Sequence, residues 1–249
     1  MSKISFINTP KQKIIFGQGA INSLQKEING NKVVIITDNG VMESLGFLGK
    51  LIDILQSADC SISVFQGIRT EPDIATVEKV KNFMVKEKPD VIIGLGGGSC
   101  LDAAKIGWAW YEHPLFEFDQ LIKEKKLPNM RNTAYYITIP TTSGTGSEVN
   151  PHVVITDYRG RTPRKMGITH EEQIPDIAIL DPLLTSTMSP ALTASTGIDA
   201  LSHALESYSR KETNDFIDAF SLHAIKLIFE YLPRAYKDGN DINLISGKS

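Results

Sequence analysis

The chain has 249 residues, of which 41% are hydrophobic and 22% charged, and its formal net charge is −3. This length can bury the core of one large domain or two modest ones, and the small net charge gives no reason to expect nucleic acid or a membrane surface as a partner. No apolar run approaches the ~20 residues of a membrane span, the start lacks the apolar stretch of a secretion signal, and two cysteines form no disulfide framework, so we expect a cytoplasmic protein.

Short apolar runs alternate with helical patterns through the first two thirds of the chain. Several of these runs are rich in β-branched residues and apolar on both faces, as buried parallel strands are. Alternation of such strands with helices predicts βαβ units and a mostly parallel sheet. The predicted strands are 33–37, 61–65, 90–95, 135–139, 153–156 and 177–180, with 13–16 as an edge strand or hairpin, and the predicted helices lie near 44–57, 73–86 and 100–111.

The character of the sequence changes after Pro182. Beyond Pro190 there is no strand pattern, and 191–208 and 215–231 read as two helices,. We therefore predict an α/β domain over 1–183 and an all-α domain over 184–249, with no regular structure over 238–249. Two helices and a polar tail are few for an independent core. The second domain must pack on the first or on another chain, or it is incomplete.

A run of glycines, Gly94-Leu95-Gly96-Gly97-Gly98-Ser99, follows a predicted strand and opens a predicted helix. Glycines at such a junction let backbone N–H groups approach a phosphate, and the helix N-terminus adds partial positive charge. A tight turn that merely needs glycine is the alternative. Asp102, in the first turn of the helix, either complements the helix dipole or contacts a bound cofactor.

Asp38 ends the first buried strand. The carboxyl end of a strand in an open α/β sheet faces the ligand crevice. A carboxylate there would accept hydrogen bonds from a ribose diol and repel a 2′-phosphate, which favours NAD over NADP. The alternative is a turn or capping role within Thr37-Asp38-Asn39-Gly40,.

The segment 140–148 is rich in hydroxyl groups and glycine and follows a strand, which favours a binding loop over a solvated linker,. Lys165 follows the 153–156 strand and a basic turn. It could hold a cofactor hydroxyl, although a solvated lysine is the simpler interpretation.

Asp199 and His203 lie four residues apart in a predicted helix, so both project from one face,. A carboxylate beside an imidazole is a usable pair of ligands for Fe(II), Zn(II) or Mn(II). Two ligands are too few for a tight site.

Four segments resemble motifs of the iron-containing (group III) alcohol dehydrogenases, in the order in which that family carries them. They are GGGSCLDAAK at 96–105, IPTTSGTGSEV at 139–149, IPDIAILDP at 174–182 and TGIDALSHALE at 196–206. The resemblance covers essentially 10–235. It implies a Rossmann-like α/β domain with a GGGS turn, followed by an all-helical domain, and an NAD(P)-dependent, metal-dependent enzyme that interconverts a small primary alcohol and an aldehyde.

The resemblance also implies roles for individual residues. The pyrophosphate of NAD would lie on Gly97, Gly98 and Ser99, with Thr141 and Thr142 lining the cofactor. Asp38 would hold the adenosine ribose and Lys165 the other ribose. Asp199 and His203 would be two of four ligands of Fe(II) or Zn(II).

The family's other two histidine ligands lie beyond the matched part, so we expect a truncated helical domain and negligible turnover by these 249 residues alone. Two other interpretations remain. The chain could be a non-catalytic nucleotide-binding or assembly module, or a relative of glycerol dehydrogenase with the same fold. We also expect a homo-oligomer.

Overall fold

The computed structural model describes residues 5–9, 11–123 and 127–239. They form two compact units. The first holds the residues up to Thr141 together with Ser147–Asp181, and the second holds Thr142–Gly146 and the residues from Pro182 onwards. Functional domains over 1–183 and 184–249 remain a prediction.

The first unit is built around a seven-stranded sheet with the order β1-β2-β9-β6-β5-β3-β4. All neighbours are parallel except β1 and β2, which form an antiparallel hairpin. The strands are β1 Ser5–Asn8, β2 Lys13–Phe16, β3 Lys32–Asp38, β4 Ser61–Ile68, β5 Val91–Gly96, β6 Tyr135–Pro140, β7 His152–Asp157, β8 Arg164–Thr169 and β9 Ile177–Leu180, of which β7 and β8 stand outside this sheet.

The helices of the first unit mostly connect these strands. They are α1 Leu24–Glu27, α2 Val41–Ser44, α3 Phe47–Gln56, α4 Ile74–Glu87, α5 Gly98–Glu112 and α6 Phe118–Lys123, with 3₁₀ turns at Ala20–Ser23 and Glu171–Gln173. The predicted α/β class with a mostly parallel sheet is confirmed. The hairpin predicted at 13–16 is present, but β1, not β2, is the edge strand.

The winding of the sheet reverses between β3 and β5. The chain passes from β3 outward to β4 and then returns to place β5 on the other side of β3. In open α/β sheets, ligands bind beyond the carboxyl ends of the strands at this kind of reversal. The topology therefore singles out the crevice between the ends of β3 and β5.

The core of the first unit packs against β5, whose residues are buried from Val91 to Gly96. The fully buried Trp108 of α5 donates its Nε1–H to the Ala134 carbonyl at 3.0 Å. Tyr136 of β6 donates its hydroxyl to the Leu101 carbonyl, also at 3.0 Å. These bonds satisfy the polar tips of large buried rings and fix α5 against the sheet.

The strand predicted at 153–156 is present as β7, but it was wrongly placed in the parallel sheet. It pairs antiparallel with β8 in a separate two-stranded sheet. The reason is visible in its burial, since Val153 and Ile155 are buried whereas Val154 is exposed. A strand with one buried face suits a hairpin that packs on the rest of the first unit through that face,.

The second unit contains α7 Pro182–Thr185, α8 Pro190–Ser209 and α9 Asp215–Lys237. Ser189 caps α8 by accepting from Leu192 N–H, and Asn214 caps α9 by accepting from Phe216 and Ile217 N–H groups,. A Cβ on Gly197 would lie 2.3 Å from a Leu232 methyl, so the first half of α8 packs against the second half of α9. The two helices are therefore antiparallel.

The helix predicted to end at Tyr231 continues through Pro233 to Lys237. Of the tail predicted to lack regular structure, residues 240–249 lie outside the described part of the chain. Within the described residues there is no strand after Pro190, as predicted. None of the described helices combines the length and the apolar character needed to cross a membrane.

Candidate functional site

The glycine run forms the turn between β5 and α5. Gly96 has φ +143°, a conformation that side chains disfavour, and a Cβ there would lie 2.7 Å from the Cys100 Sγ,. A Cβ on Gly94 would meet the Tyr136 hydroxyl at 2.5 Å. These two glycines are therefore required by close packing. Gly97 is the N-cap of α5 and no side chain caps this helix, so its first N–H groups point to the carboxyl end of the sheet without an intrahelical partner,.

Asp38 lies at the end of β3, on the other side of the winding reversal. Its Oδ1 accepts from the N–H groups of Val41 and Met42 at 2.7 and 3.2 Å, so the capping role that the sequence left open is present. Burial, followed by the charge of Asp38, raises the pKa of the Cys100 thiol to about 12. The charge of Asp38 thus acts on a residue in the first turn of α5, which follows the glycine turn.

Thr141 follows the end of β6, the neighbour of β5 on its other side. It is buried and its N–H donates to the Gly96 carbonyl at 3.0 Å. The next five residues, Thr142–Gly146, belong to the second unit, and we call them the strap. A Cβ on Gly144, which has φ +152°, would lie 2.2 Å from the Thr196 carbonyl oxygen. The strap, which carries the predicted cofactor contact Thr142, therefore packs directly on the backbone of α8.

Glu71 links two residues that the sequence had singled out separately. Its N–H donates to Ser99 Oγ at 3.4 Å, and its Oε1 lies 2.6 Å from Nζ of Lys165. This ion pair raises the pKa of Lys165. Sequence reasoning missed Glu71, which adopts a left-handed conformation with φ +60°. Its place just beyond the end of β4 was the available signal, because polar residues after parallel strands share one edge of the sheet.

Asp102 uses both carboxylate oxygens within the protein. Oδ1 accepts from the Ser147 hydroxyl, and Oδ2 accepts from Val154 N–H at 2.8 Å. Burial raises the pKa of Asp102, while the Ser147 hydrogen bond and the charge of Lys105 oppose that rise. A direct contact with a cofactor remains a prediction for this residue, and its observed role is to join α5 to the chain that follows the strap.

Lys105, one turn further along α5, is fully buried. Its Nζ donates to the carbonyls of Ser147, Asn150 and His152 at 2.7, 2.8 and 3.0 Å. Three acceptors saturate the three N–H donors of an ammonium group. This lysine is the last residue of the GGGSCLDAAK motif, and the sequence alone indicated no role for it. The signal was a single charge in an otherwise apolar helical run, Ala103 to Ala109.

Asp199 and His203 lie together on α8, with Oδ1 of the aspartate 3.9 Å from Nε2 of the histidine, and both side chains are about half exposed. The carboxylate–imidazole pair suits Fe(II) or Zn(II), so the chemistry of the two donors fits the implied metal. In the described residues no group of three or more His, Cys, Asp or Glu side chains is placed to hold an ion. That the pair belongs to a larger ligand set remains a prediction.

A cavity of about 330 Å³ lies within the second unit. Ser143 of the strap, Thr196 and Ala200 of α8, and Leu227 and Tyr231 of α9 are among the residues that line it. Its wall is mostly apolar, so it offers few groups that could orient a polar ligand.

Two family models match the sequence: iron-containing alcohol dehydrogenase over residues 10–182, and the C-terminal part of the Fe-containing alcohol dehydrogenase family over 193–246. An NADPH-dependent butanol dehydrogenase of Clostridium saccharobutylicum is 38% identical over 92% of this chain and 58% of its own length. An aldehyde-alcohol dehydrogenase of Streptococcus pneumoniae is 39% identical over 92% of this chain and 27% of its own.

A solved structure of an iron-containing alcohol dehydrogenase has the same fold as this chain. The iron-containing alcohol dehydrogenase of Thermococcus thioreducens superimposes with a TM-score of 0.86 at 31% identity, over 97% of this chain and 64% of the other. The chain thus spans less than two thirds of these relatives.

Proposed function

The chain belongs to the iron-containing alcohol dehydrogenase family, and from that premise we propose that it serves an NAD-dependent, metal-dependent interconversion of a primary alcohol and an aldehyde in the cytoplasm. The observation that carries the proposal is the set of residues placed at the carboxyl ends of three neighbouring strands. Thr141, the uncapped glycine turn and Asp38 follow the adjacent parallel strands β6, β5 and β3. These strand ends include the winding reversal, where nucleotides bind in such sheets.

The proposed nucleotide contacts divide by chemistry. The first N–H groups of α5 at Gly98 and Ser99, just after Gly97, would face the pyrophosphate, where the helix dipole favours negative charge. Asp38 would accept from a ribose diol, and its charge would repel the 2′-phosphate of NADP. Thr142 and Lys165 would contact the remainder of the nucleotide. One matched relative is named NADPH-dependent, so a direct comparison of the two nucleotides is essential.

Asp199 and His203 would hold the Fe(II) or Zn(II) ion together with ligands from outside the described residues. When bound, such an ion acts as a Lewis acid towards an alcohol or carbonyl oxygen. The two donors by themselves bind a metal weakly, because tight sites of this type need three or four ligands. We therefore propose that these 249 residues alone turn over alcohol negligibly.

The test combines binding with activity on the purified chain. We expect NADH to bind weakly in a fluorescence titration, and we expect no oxidation of ethanol or butanol with NAD and either Fe(II) or Zn(II). Weak Zn(II) binding in calorimetry should disappear in His203→Ala and persist in His223→Ala, which removes an exposed histidine from α9. Robust metal-dependent oxidation of ethanol or butanol would refute the inactivity of the chain, and absence of NADH binding would refute the nucleotide site.

A second candidate function, an assembly module, is favoured by apolar side chains exposed on the second unit. Ile198, Leu205 and Tyr208 are exposed along one stripe of α8, and Leu222, Phe229 and Tyr236 along one stripe of α9. On each helix, the stripe is rotated about the helix axis by a similar angle, in the same sense, from the residues that face the other helix. Because the two helices are antiparallel, both stripes lie on the same side of the pair. Patches of this kind mark interaction surfaces, and we propose that a second copy of the chain covers this one in a homo-oligomer.

The preferred class of substrate distinguishes the remaining alternative, a relative of glycerol dehydrogenase, from an alcohol dehydrogenase. A glycerol dehydrogenase-like relative would prefer polyols, whereas the relatives matched here carry the names butanol dehydrogenase and 1-propanol dehydrogenase. We therefore propose short primary alcohols, to be tested by substrate profiling of a full-length relative that carries the glycine turn and strap of this chain.

A further inference from the structure

The strap is held at its entrance by the end of β5 and at its exit by α5. At the entrance, Thr141 N–H donates to the carbonyl of Gly96, the residue two positions before α5 begins. At the exit, Ser147 is bonded through its hydroxyl to Asp102 and through its carbonyl to Lys105, both in the first two turns of α5. The five strap residues therefore have fixed ends, although they are rich in glycine and hydroxyl side chains.

Lys105 is the centre of the exit anchor. Three carbonyls from three different residues, Ser147, Asn150 and His152, converge on its Nζ, and the Ser147 hydroxyl lies 3.4 Å away. Neither an apolar side chain nor a single hydroxyl can satisfy three carbonyls at once, of which one is buried and two are partly buried,. Without the ammonium group the segment would lose these three hydrogen bonds together, and we expect it to move as a result,.

We propose that Lys105 is a positioning residue for nucleotide binding. By fixing the return of the chain at Ser147, it limits the conformations open to the strap, which carries the proposed cofactor contact Thr142 and whose Gly144 packs on the Thr196 carbonyl. Asp102 assists by orienting the Ser147 hydroxyl and Val154 N–H. Lys105 does not touch the nucleotide. The proposal rests on the proposed function only for its effect on NADH, because the hold on the strap exists without any ligand.

The test therefore has one readout without ligand and one with NADH. Lys105→Met keeps an unbranched side chain that is one heavy atom shorter and removes the three donors. We expect amide hydrogen exchange of 142–146 to accelerate at least tenfold, while exchange in β3 and β5 stays as in the wild type. We expect the dissociation constant for NADH to rise about tenfold. Val80→Ala is the matched control, because Val80 is equally buried and packs against Gly107 of the same helix away from the strap.

Val80→Ala should lower the melting temperature without a selective change in the strap or in NADH affinity. If Lys105→Met fails to fold, Lys105→Arg keeps a charge and donors in a different geometry, and we expect strap exchange intermediate between wild type and an unanchored segment. Wild-type exchange of the strap in whichever variant folds would overturn the proposal. If the wild type binds no NADH, the proposed function fails, and exchange of the strap still decides the role of Lys105.

Discussion

Nζ of Lys165 lies 2.6 Å from Oε1 of Glu71, and the backbone N–H of the same glutamate is bonded to Ser99 at the start of α5. The carboxylate of this pair belongs to a residue whose backbone contacts Ser99, at the helix terminus proposed to bind the pyrophosphate. It also occupies the amine proposed to contact a ribose. At the proposed site, nucleotide binding would therefore compete with Glu71 for Lys165 and meet the negative charge of its carboxylate.

Glu71→Gln should consequently strengthen NADH binding by a few-fold, since it removes the repulsion and releases the lysine. The stability of the protein should change little, because both side chains are more than half exposed and such pairs contribute little,. Fluorescence titration with NADH at low and high salt is the measurement. Lys165→Met is the paired variant and should weaken binding. Weaker binding by Glu71→Gln would show that the glutamate helps to hold the nucleotide.

Asp38→Asn should reduce the preference for NADH over NADPH by about tenfold, or ~1.4 kcal/mol. Asparagine retains an oxygen that can accept from Val41 and Met42 N–H, so the variant removes the charge and keeps the cap. Asp38→Ala removes both and should in addition lower the free energy of unfolding by ~1 kcal/mol. Calorimetric titration with the two nucleotides gives the ratio, and an unchanged ratio in Asp38→Asn would remove the carboxylate from any role in nucleotide choice.

Gly96→Ala should destabilise the first unit by about 2–4 kcal/mol, because the new Cβ meets Cys100 Sγ and the backbone has φ +143°,. Gly49→Ala is the control. Gly49 lies within α3 with no atom within 4 Å of a new Cβ, so alanine should stabilise that helix by about 0.5–1 kcal/mol,. Urea unfolding of both variants provides the comparison. Equal effects of the two substitutions would contradict the close packing at the glycine turn.

Lys105 predicts a pH dependence of stability with a definite sign. Burial lowers its pKa from 10.5 to about 8, so between these values the unfolded chain binds more protons at this residue than the folded chain does. The free energy of unfolding that depends on Lys105 should therefore rise with pH across that window. Urea unfolding from pH 7 to 10 should show the wild type gaining stability relative to Lys105→Met. A constant difference over the whole range would mean that the folded lysine keeps its ordinary pKa.

The exposed face of the second unit predicts self-association. Phe229 is 66% exposed in the middle of its stripe, so Phe229→Glu should shift the protein towards monomer,. Glu230→Gln, at the adjacent exposed position, alters charge without touching the apolar stripe and should leave association unchanged. Light scattering after size-exclusion chromatography over a range of concentrations measures the shift. A wild-type chain that is monomeric at every concentration would contradict the proposed homo-oligomer.

Several parallel strands could be predicted from sequence because they are short, rich in β-branched residues and apolar on both faces. β8 escaped prediction because its burial is confined largely to Ile168, and its first residues, Arg164 and Lys165, are charged and exposed. The strand conformation of β8 is stabilised by its pairing with β7, which no local pattern in its sequence indicates. α9 extends beyond the predicted end at Tyr231. Leu232 and Ala235, on either side of Pro233, line the cavity in the second unit, and this packing stabilises the last turns of the helix.

The candidate site shows a similar division. Glycine runs and spaced ligand pairs are local, so Gly97, Asp199 and their neighbours could be proposed from the sequence. Glu71 and Lys105 act through partners 94 and 42 or more residues away, which no local spacing records. Asp38 was identified from its position at a strand end, and the structure adds the capping bonds that the sequence held as an alternative.

The chain passes between its two units at Thr141, Gly146 and Asp181, so the helical unit is not one continuous stretch of sequence. A recombination event at residue 182 would deliver α8 and α9 without the strap whose Gly144 fits the Thr196 backbone. Exchange of the helical part between related genes should therefore succeed only when the 142–146 segment travels with it. The helical unit is encoded by two separate pieces of gene, and these must be kept together both in inheritance and in engineering.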